Sequence, residues 1–280
     1  METIDWIVLI FSIGFIVLYG IWKNRKNKNL EDYFKGNNKS RWWTIGISVM
    51  ATQASAITFL STPGQAYSDG MGFIQFYFGL PFAIIIISKF FLPIYHKLKV
   101  FTAYEFLEKR FNKKTRNLAS FLFLVQRGLA AGITIYAPAI IMSLILKWPL
   151  YLLIIIIGSL VTFYTLIGGT KAVNVTQKQQ MFVIFIGLFI SIYYIFKGIP
   201  EEFSLKQVIE IAGANEKLNI LSFDLDFKSR YTFWSGITGG LFLALSYFGT
   251  DQSQVQRYIS GKNLKESQRG LFFNAILKVP

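Results

Sequence analysis

The 280-residue chain contains no cysteine, which excludes a disulfide framework and any thiolate site. Its one histidine, His96, leaves no basis for a histidine-built metal centre. Charged residues make up 16%, where a soluble domain of this size carries about 25%. No catalytic arrangement, metal-ligand spacing or phosphate-cradling glycine loop is present, and Gly168-Gly169 reads as a cytoplasmic turn between two spans. A cleavable signal is also missing. Glu2 and Asp5 precede the first apolar run and the basic cluster follows it, the reverse of a signal peptide, so Met1 is expected to begin the mature chain.

What the sequence has in abundance is apolar surface, at 53% hydrophobic and 17% aromatic residues. Stretches of about twenty apolar residues recur along the chain, each long enough to cross a hydrocarbon core of about 30 Å. This predicts an all-α polytopic membrane protein. The expected spans are Ile4–Trp22, Trp42–Ala66, Gly70–Tyr95, Leu118–Leu146, Pro149–Ile167, Gln180–Phe196, Tyr231–Phe248 and one beginning near Gly270. The sequence reaches Pro280 about ten residues into that last segment, so the reading expects a chain truncated in its eighth span.

The net charge of +14 does not indicate nucleic acid, because the basic residues sit in alternate loops and form no stripe with stacking aromatics. Lys23, Arg25, Lys26, Lys28, Lys35, Lys39 and Arg41 follow the first span. Lys97, Lys99, Lys109, Arg110, Lys113, Lys114 and Arg116 follow the third, and Arg257, Lys262, Lys265 and Arg269 the seventh. The positive-inside rule makes all three loops cytoplasmic. The long connection from Lys197 to Arg230 mixes acids and bases and falls outside, as does the N-terminus.

Two spans do not read as simple helices. The second contains Met50-Ala-Thr-Gln-Ala-Ser-Ala-Ile-Thr58 followed by Ser61-Thr-Pro-Gly64, and the seventh Gly236-Ile-Thr-Gly-Gly240 and Ala244-Leu-Ser-Tyr-Phe-Gly-Thr250. Such residues free backbone groups that lipid cannot satisfy, which suits a broken helix facing a polar cavity. Close helix packing by small residues is the alternative. Gln126 and Arg127 lie a third of the way into the fourth span, and an arginine at that depth suggests a cavity-lining role, with snorkelling as the alternative. Gly128 and Gly132 on the same helix form a GxxxG, a close-packing signal.

Several stretches resemble the sodium:solute symporter family. They are Trp42-Trp43, Phe91-Leu-Pro-Ile-Tyr95, Thr102-Ala-Tyr-Glu-Phe-Leu-Glu-Lys-Arg-Phe111, Tyr136-Ala-Pro-Ala139, Tyr164-Thr-Leu-Ile-Gly-Gly-Thr-Lys-Ala-Val173 and Gly249-Thr-Asp-Gln-Ser-Gln-Val-Gln-Arg-Tyr258. The resemblance implies one domain over residues 1–280 with a LeuT-like inverted-repeat core. Residues 4–22 would be an extra N-terminal helix, 42–196 the first five-helix repeat, 197–230 an extracellular loop and 231–280 the start of the second repeat.

It further implies sodium held by the backbone carbonyls of Ala51 and Ala54 and solute contacted by Gln53, Ser55, Thr58, Tyr77, Ala130, Ala244, Ser246 and Lys278. Tyr247 matches an aromatic inner gate. Tyr77 stands where sugar carriers have a carboxylate, Ala244 where they have an amide, and Ala130 where sialate carriers have an arginine that Arg127 could replace. The loop reads Val175-Thr176-Gln177 where relatives carry Trp-Thr-Asp, removing a carboxylate from the sodium exit path.

The implied function is sodium-coupled symport of a sugar or an organic anion such as sialate. It would work by alternating access in a bacterial inner membrane, with a small solute and the lipid bilayer as partners, and neither nucleic acid nor enzymatic chemistry involved. The alternative is the membrane sensor portion of a histidine-kinase-type receptor.

Overall fold

The computed structural model describes residues 3–24, 40–226 and 228–278. Met1, Glu2, Pro280 and the basic residues Arg25, Lys26, Lys28, Lys35 and Lys39 lie outside them. Among the described residues there is no β-strand, only an isolated bridge between Ser40 and Gly261. Apolar runs in lipid must satisfy their own backbone groups, and helices do so within a single segment.

Helix α1 covers Thr3–Asn24, and the second span is broken into α2 (Trp42–Gln53) and α3 (Ala56–Asp69). The third span is continuous but irregular. It opens as a 3₁₀ segment, Met71–Tyr77, continues as α4 (Gly79–Ile86), widens into a π turn at Ile87–Phe91 and closes as α5 (Leu92–Leu98). A short helix, α6 (Tyr104–Arg110), lies in the basic loop. Then comes α7, Lys113–Leu146, whose first turn is capped by the Asn112 side chain accepting from the Thr115 amide at 2.9 Å.

Helical backbone next runs without interruption through α8, Leu150–Lys197. The turn expected at Gly168-Gly169 is therefore replaced by continuous helical hydrogen bonding. Its 48 residues would extend about 72 Å if straight, more than twice the hydrocarbon core. The neighbours rule that out. Trp148 lies 6.0 Å from Trp6, yet Phe11 and Phe15, about 8–14 Å farther along α1, share a groove with Lys178 and Phe182. A straight α8 would carry Lys178 about 40 Å or more from Trp148. The axis must therefore bend between its two halves, and a glycine pair such as Gly168-Gly169 is where helices bend. Its two apolar halves, Leu150–Phe163 and Thr176–Lys197, answer to the two spans read from the sequence.

The long connection after α8 holds a helix of its own, α9 (Leu205–Ala214), started by a reciprocal capping box between Ser204 and Gln207. Helix α10 (Phe233–Gly249) is unbroken across Gly236–Gly240, which corrects the interruption expected there. The glycines serve packing instead. A Cβ on Gly236 would sit 2.1 Å from the Gln75 carbonyl oxygen, and one on Gly240 would sit 2.3 Å from that of Phe76. The discontinuity falls later, at Thr250 and Asp251, before α11 (Gln252–Ile259).

The last helix, α12, spans Leu264–Lys278 and so begins six residues before Gly270. Lys265 and Arg269 are helical rather than loop residues, as is Arg257 on α11. By contrast Gly128 and Gly132 have nothing within 4 Å of a built Cβ, so their GxxxG makes no close helix contact among the described residues.

The core lies where α2, α4, α5, α10, α11 and α12 converge. Ile45, Val49, Ile84, Ile87, Leu92, Val255, Tyr258 and Leu271 are almost wholly buried there. In lipid, burial brings little hydrophobic gain, so close packing must supply the cohesion. Gly46 and Gly270 bring α2 and α12 together: a Cβ on either would meet backbone oxygen at 2.9 Å. At one end the amide of Trp42 donates to the Glu266 carboxylate at 2.7 Å, which caps α2 from a distant element. At the other end Gln75, 1% exposed, accepts from the Ser222 amide at 2.9 Å and donates to the Tyr231 carbonyl at 3.4 Å. Both ends of the bundle are thus tied by polar contacts.

Candidate functional site

The two helix breaks differ in what they leave open. At the first, the ladder of α2 ends with the Ala54 amide donating to the Met50 carbonyl at 3.1 Å, and Ala54 turns extended (φ −67°, ψ 118°). The carbonyls from Ala51 to Ala54 therefore lie beyond the helical ladder. At the second break two of the corresponding carbonyls are taken. Tyr95 donates its hydroxyl to the Gly249 carbonyl at 2.7 Å, and the buried Tyr258 hydroxyl donates to that of Phe248. The Ser246 carbonyl, like that of Met50 at the first break, still accepts within the ladder, from both the amide and the hydroxyl of Thr250, at 3.2 and 2.9 Å. Among the described residues the first break therefore leaves more carbonyls open to a small hard cation than the second.

A cavity of about 400 Å³ lies beside both breaks. Of the residues singled out in the sequence, Gln53, Tyr77, Gln126, Ser246, Tyr247 and Lys278 line it, together with Ala244. The Lys278 ammonium donates to the Gln53 side-chain carbonyl and lies 5.1 Å from the Tyr77 ring centre and 5.6 Å from that of Phe248. Cation–π contacts of this kind stabilise a desolvated ammonium without neutralising it. Gln53 also donates to the Val49 carbonyl at 3.1 Å, so its amide is oriented by its own helix.

Three expected solute contacts are not part of the lining. Ser55 is half-buried at the break, and Thr58 is exposed on α3. Ala130 is half-buried on α7, its carbonyl accepting from the Thr134 hydroxyl at 2.8 Å. Nor is Arg127 in the lining; it sits behind the cavity wall and is committed to Asp251 and Ser253.

Asp251, Thr250, Tyr104 and Phe76 line the cavity and were not singled out in the sequence. Asp251 carried a usable signal, since a carboxylate within a few residues of a span's end, behind a glycine and a threonine, suggests a helix cap or an ion partner. It does both. Its Oδ1 accepts from the amide and hydroxyl of Ser253, at 2.9 and 2.7 Å, and its Oδ2 pairs with Arg127. Tyr104, on the short helix outside the spans, is pushed up from the ordinary 10.0 to about 12, by burial and secondarily by the charge of Asp251.

Gln177 is buried between α2 and α8. Its side-chain carbonyl accepts from the Ser48 hydroxyl at 2.5 Å and its amide donates to the Thr52 hydroxyl at 2.8 Å. The neighbouring Lys178 ammonium lies 4.3 Å from the Trp43 ring centre. Where a carboxylate was expected, the chain has an uncharged bridge below the first break.

Known proteins resemble this chain over almost its whole length. The sodium:solute symporter family matches over residues 33–278. The sodium-coupled monocarboxylate transporter 2 of Bos taurus is 34% identical over 96% of this chain and 43% of its own length. The Homo sapiens sodium/iodide cotransporter is 30% identical over 96% of this chain and 41% of its own. A solved structure of a Na⁺-coupled sialic acid symporter, in a substrate-bound outward-open state, superposes with a TM-score of 0.86 at 28% identity. That likeness covers 99% of this chain and 57% of the solved one. The chain spans less than half the length of the curated relatives it matches. Its all-α fold is of the LeuT-like kind found in that structure, and its relatives are multi-pass membrane carriers. Broken helices beside one cavity are what that fold builds, and with a match extending from residue 33 to residue 278 the chain belongs to the sodium:solute symporter family.

Proposed function

We propose that the protein is a sodium-coupled symporter whose solute is a small organic anion, and that it works as a carrier rather than an enzyme. The observation that carries the anion reading is Lys278. Among the described residues no carboxylate pairs with it, while the one acid in the cavity lining, Asp251, is already neutralised by Arg127. A buried ammonium held only by an amide and two ring faces favours a negatively charged solute over a neutral one. The three kinds of relative, named for monocarboxylates, iodide and sialic acid, support the same charge.

In this reading sodium is co-transported cargo. Carbonyls of Ala51 and Ala54 contribute to its coordination at the first break, and ligands from elsewhere complete it. Each sodium ion moving inward gains about 2.3 kcal/mol per 100 mV of membrane potential, enough to drive an anion against its own gradient if more than one ion accompanies it. Gln53, Tyr77, Ser246 and Lys278 hold the solute, and Tyr247 closes the inner end. Ser55, Thr58 and Ala130 would reach solute only after α3 and α7 move, as alternating access requires. We further place the N-terminus outside, on the distribution of lysine and arginine between the loops.

The test is uptake in proteoliposomes under an inward sodium gradient, using sialate, short monocarboxylates, iodide and a neutral hexose. Accumulation of an anion that collapses when sodium is equilibrated supports the reading. Accumulation of the hexose alone would refute its anion part, and no gradient-dependent uptake of any solute would refute the carrier itself.

A further inference from the structure

Arg127 is a charged group within a span that the cavity lining does not include. It projects from α7 to Asp251, 124 residues away at the junction of α10 and α11, and also donates to the Ser253 hydroxyl at 2.8 Å. Its guanidinium lies 5.6 Å from the ring centre of Tyr247. The Tyr247 hydroxyl accepts from the Gln254 side-chain amide at 2.8 Å, so the ring is held at its hydroxyl while its face meets the guanidinium.

The backbones around this pair are set apart. Helix α7 packs chiefly on α3, α6 and α8, while α10 and α11 belong to the buried core with α4 and α12. The second break is braced from that core by Tyr95 and Tyr258. The charge pair is therefore a tie thrown from one group of helices to another across a gap their main chains do not fill. Parted, both groups would face the polar side of the cavity, where Gln126, Thr250 and Tyr104 stand and water can solvate them. A pair with that alternative is reversible, unlike one sealed in apolar core.

We propose that Arg127 and Asp251 form the inner latch of the cavity. They act as positioning residues that hold Tyr247 across its cytoplasmic end, and they must separate before the cavity opens inward. The inference rests on the carrier reading above. It also divides the cationic roles, since Lys278 faces the solute and Arg127 does not.

The absence of cysteine gives a clean test. A single Thr250→Cys substitution places a thiol in the cavity wall, and a membrane-impermeant maleimide then reports its accessibility in inside-out and right-side-out vesicles. Neutralising both partners with R127Q/D251N strands no buried charge, and should raise labelling from the cytoplasmic face about fivefold or more. The charge swap R127D/D251R should bring the rate back towards that of the parent, which a merely structural role for either residue would not predict. A cysteine at Ser229, on the external connection, controls for folding and should label equally in every background.

An unchanged cytoplasmic rate in R127Q/D251N with a normal Ser229→Cys control would overturn the latch. A shifted rate without sodium-driven uptake in the parent would leave the latch standing and remove the carrier reading. Uptake together with an unchanged rate would do the opposite.

Discussion

The Ser48 hydroxyl donates to the side-chain carbonyl of Gln177 at 2.5 Å, and this contact joins the first half of the broken span to the second half of α8. Ser48 is 1% exposed, so water does not compete for this contact. The same amide holds Thr52 at 2.8 Å, one turn nearer the break. An uncharged side chain thus does the bridging at the position where the resemblance led us to expect a carboxylate.

Gln177→Leu removes both side-chain hydrogen bonds of this bridge and should lower stability by about 1–3 kcal/mol, at about 0.5–1.5 kcal/mol for each. Thermal unfolding of the detergent-solubilised protein measures it. An unchanged midpoint would mean that the two hydroxyls find other partners and that the bridge contributes nothing.

The glycines of α10 and α4 separate packing from permissiveness. A Cβ at Gly79 would lie 2.1 Å from the Leu241 amide nitrogen, and those at Gly236 and Gly240 collide with carbonyl oxygens, so backbone must move in each case. Gly79→Ala, Gly236→Ala and Gly240→Ala should each cost about 1–3 kcal/mol or more by forcing the helices apart. Gly239→Ala, with nothing within 4 Å, should be neutral or stabilise by up to about 1 kcal/mol through helix propensity. Equal effects at Gly239 and Gly240 would refute the close approach.

These glycines also show where the sequence was legible and where it was not. Span positions, the break after Gln53 and a cavity containing Gln53, Tyr77, Ser246, Tyr247 and Lys278 could be reached from hydropathy, helix-breaking composition and family likeness. Gly236–Gly240 could not be assigned, because a glycine run serves a break and a close contact equally well, and only the facing carbonyls of Gln75 and Phe76 decide between them. Gly128 and Gly132 misled for the same reason: a GxxxG records the possibility of contact, not the partner. Arg127 was expected to line a cavity or to snorkel; its partner Asp251 lies 124 residues away, and nothing local in the sequence couples two such positions. The helical continuity of Leu150–Lys197 was missed because charge and glycine mark a change of direction without saying whether the helix ends there.

Lys278 should decide affinity for an anionic solute. Lys278→Gln keeps a polar group beside Gln53 but removes the charge, and a lost charge-assisted hydrogen bond is worth about 1.5–3 kcal/mol. The apparent KM for the transported anion should rise at least about tenfold, with a smaller change for Lys278→Arg. Uptake kinetics at saturating sodium measure this. An unaltered KM in the glutamine variant would exclude contact between the ammonium and the solute.

Alkaline pH should weaken the inner end of the molecule. Tyr104 is pushed up from 10.0 to about 12, and Tyr258, fully buried on α11, is also raised, chiefly by burial. Both are held neutral by the fold, so between about pH 10 and pH 12 the folded state keeps protons that the unfolded state has released. Stability is then fully present below pH 10 and falls as pH rises through that window, since it declines wherever the native state binds more protons. Thermal midpoints taken at steps across this range should fall, and Tyr104→Phe should flatten the decline without abolishing it, because Tyr258 still titrates. A parent and a Tyr104→Phe variant with identical pH profiles would show that Tyr104 ionises freely in the folded protein. In that case burial would not be holding its proton, and the lesser contribution from the charge of Asp251 would be lost with it.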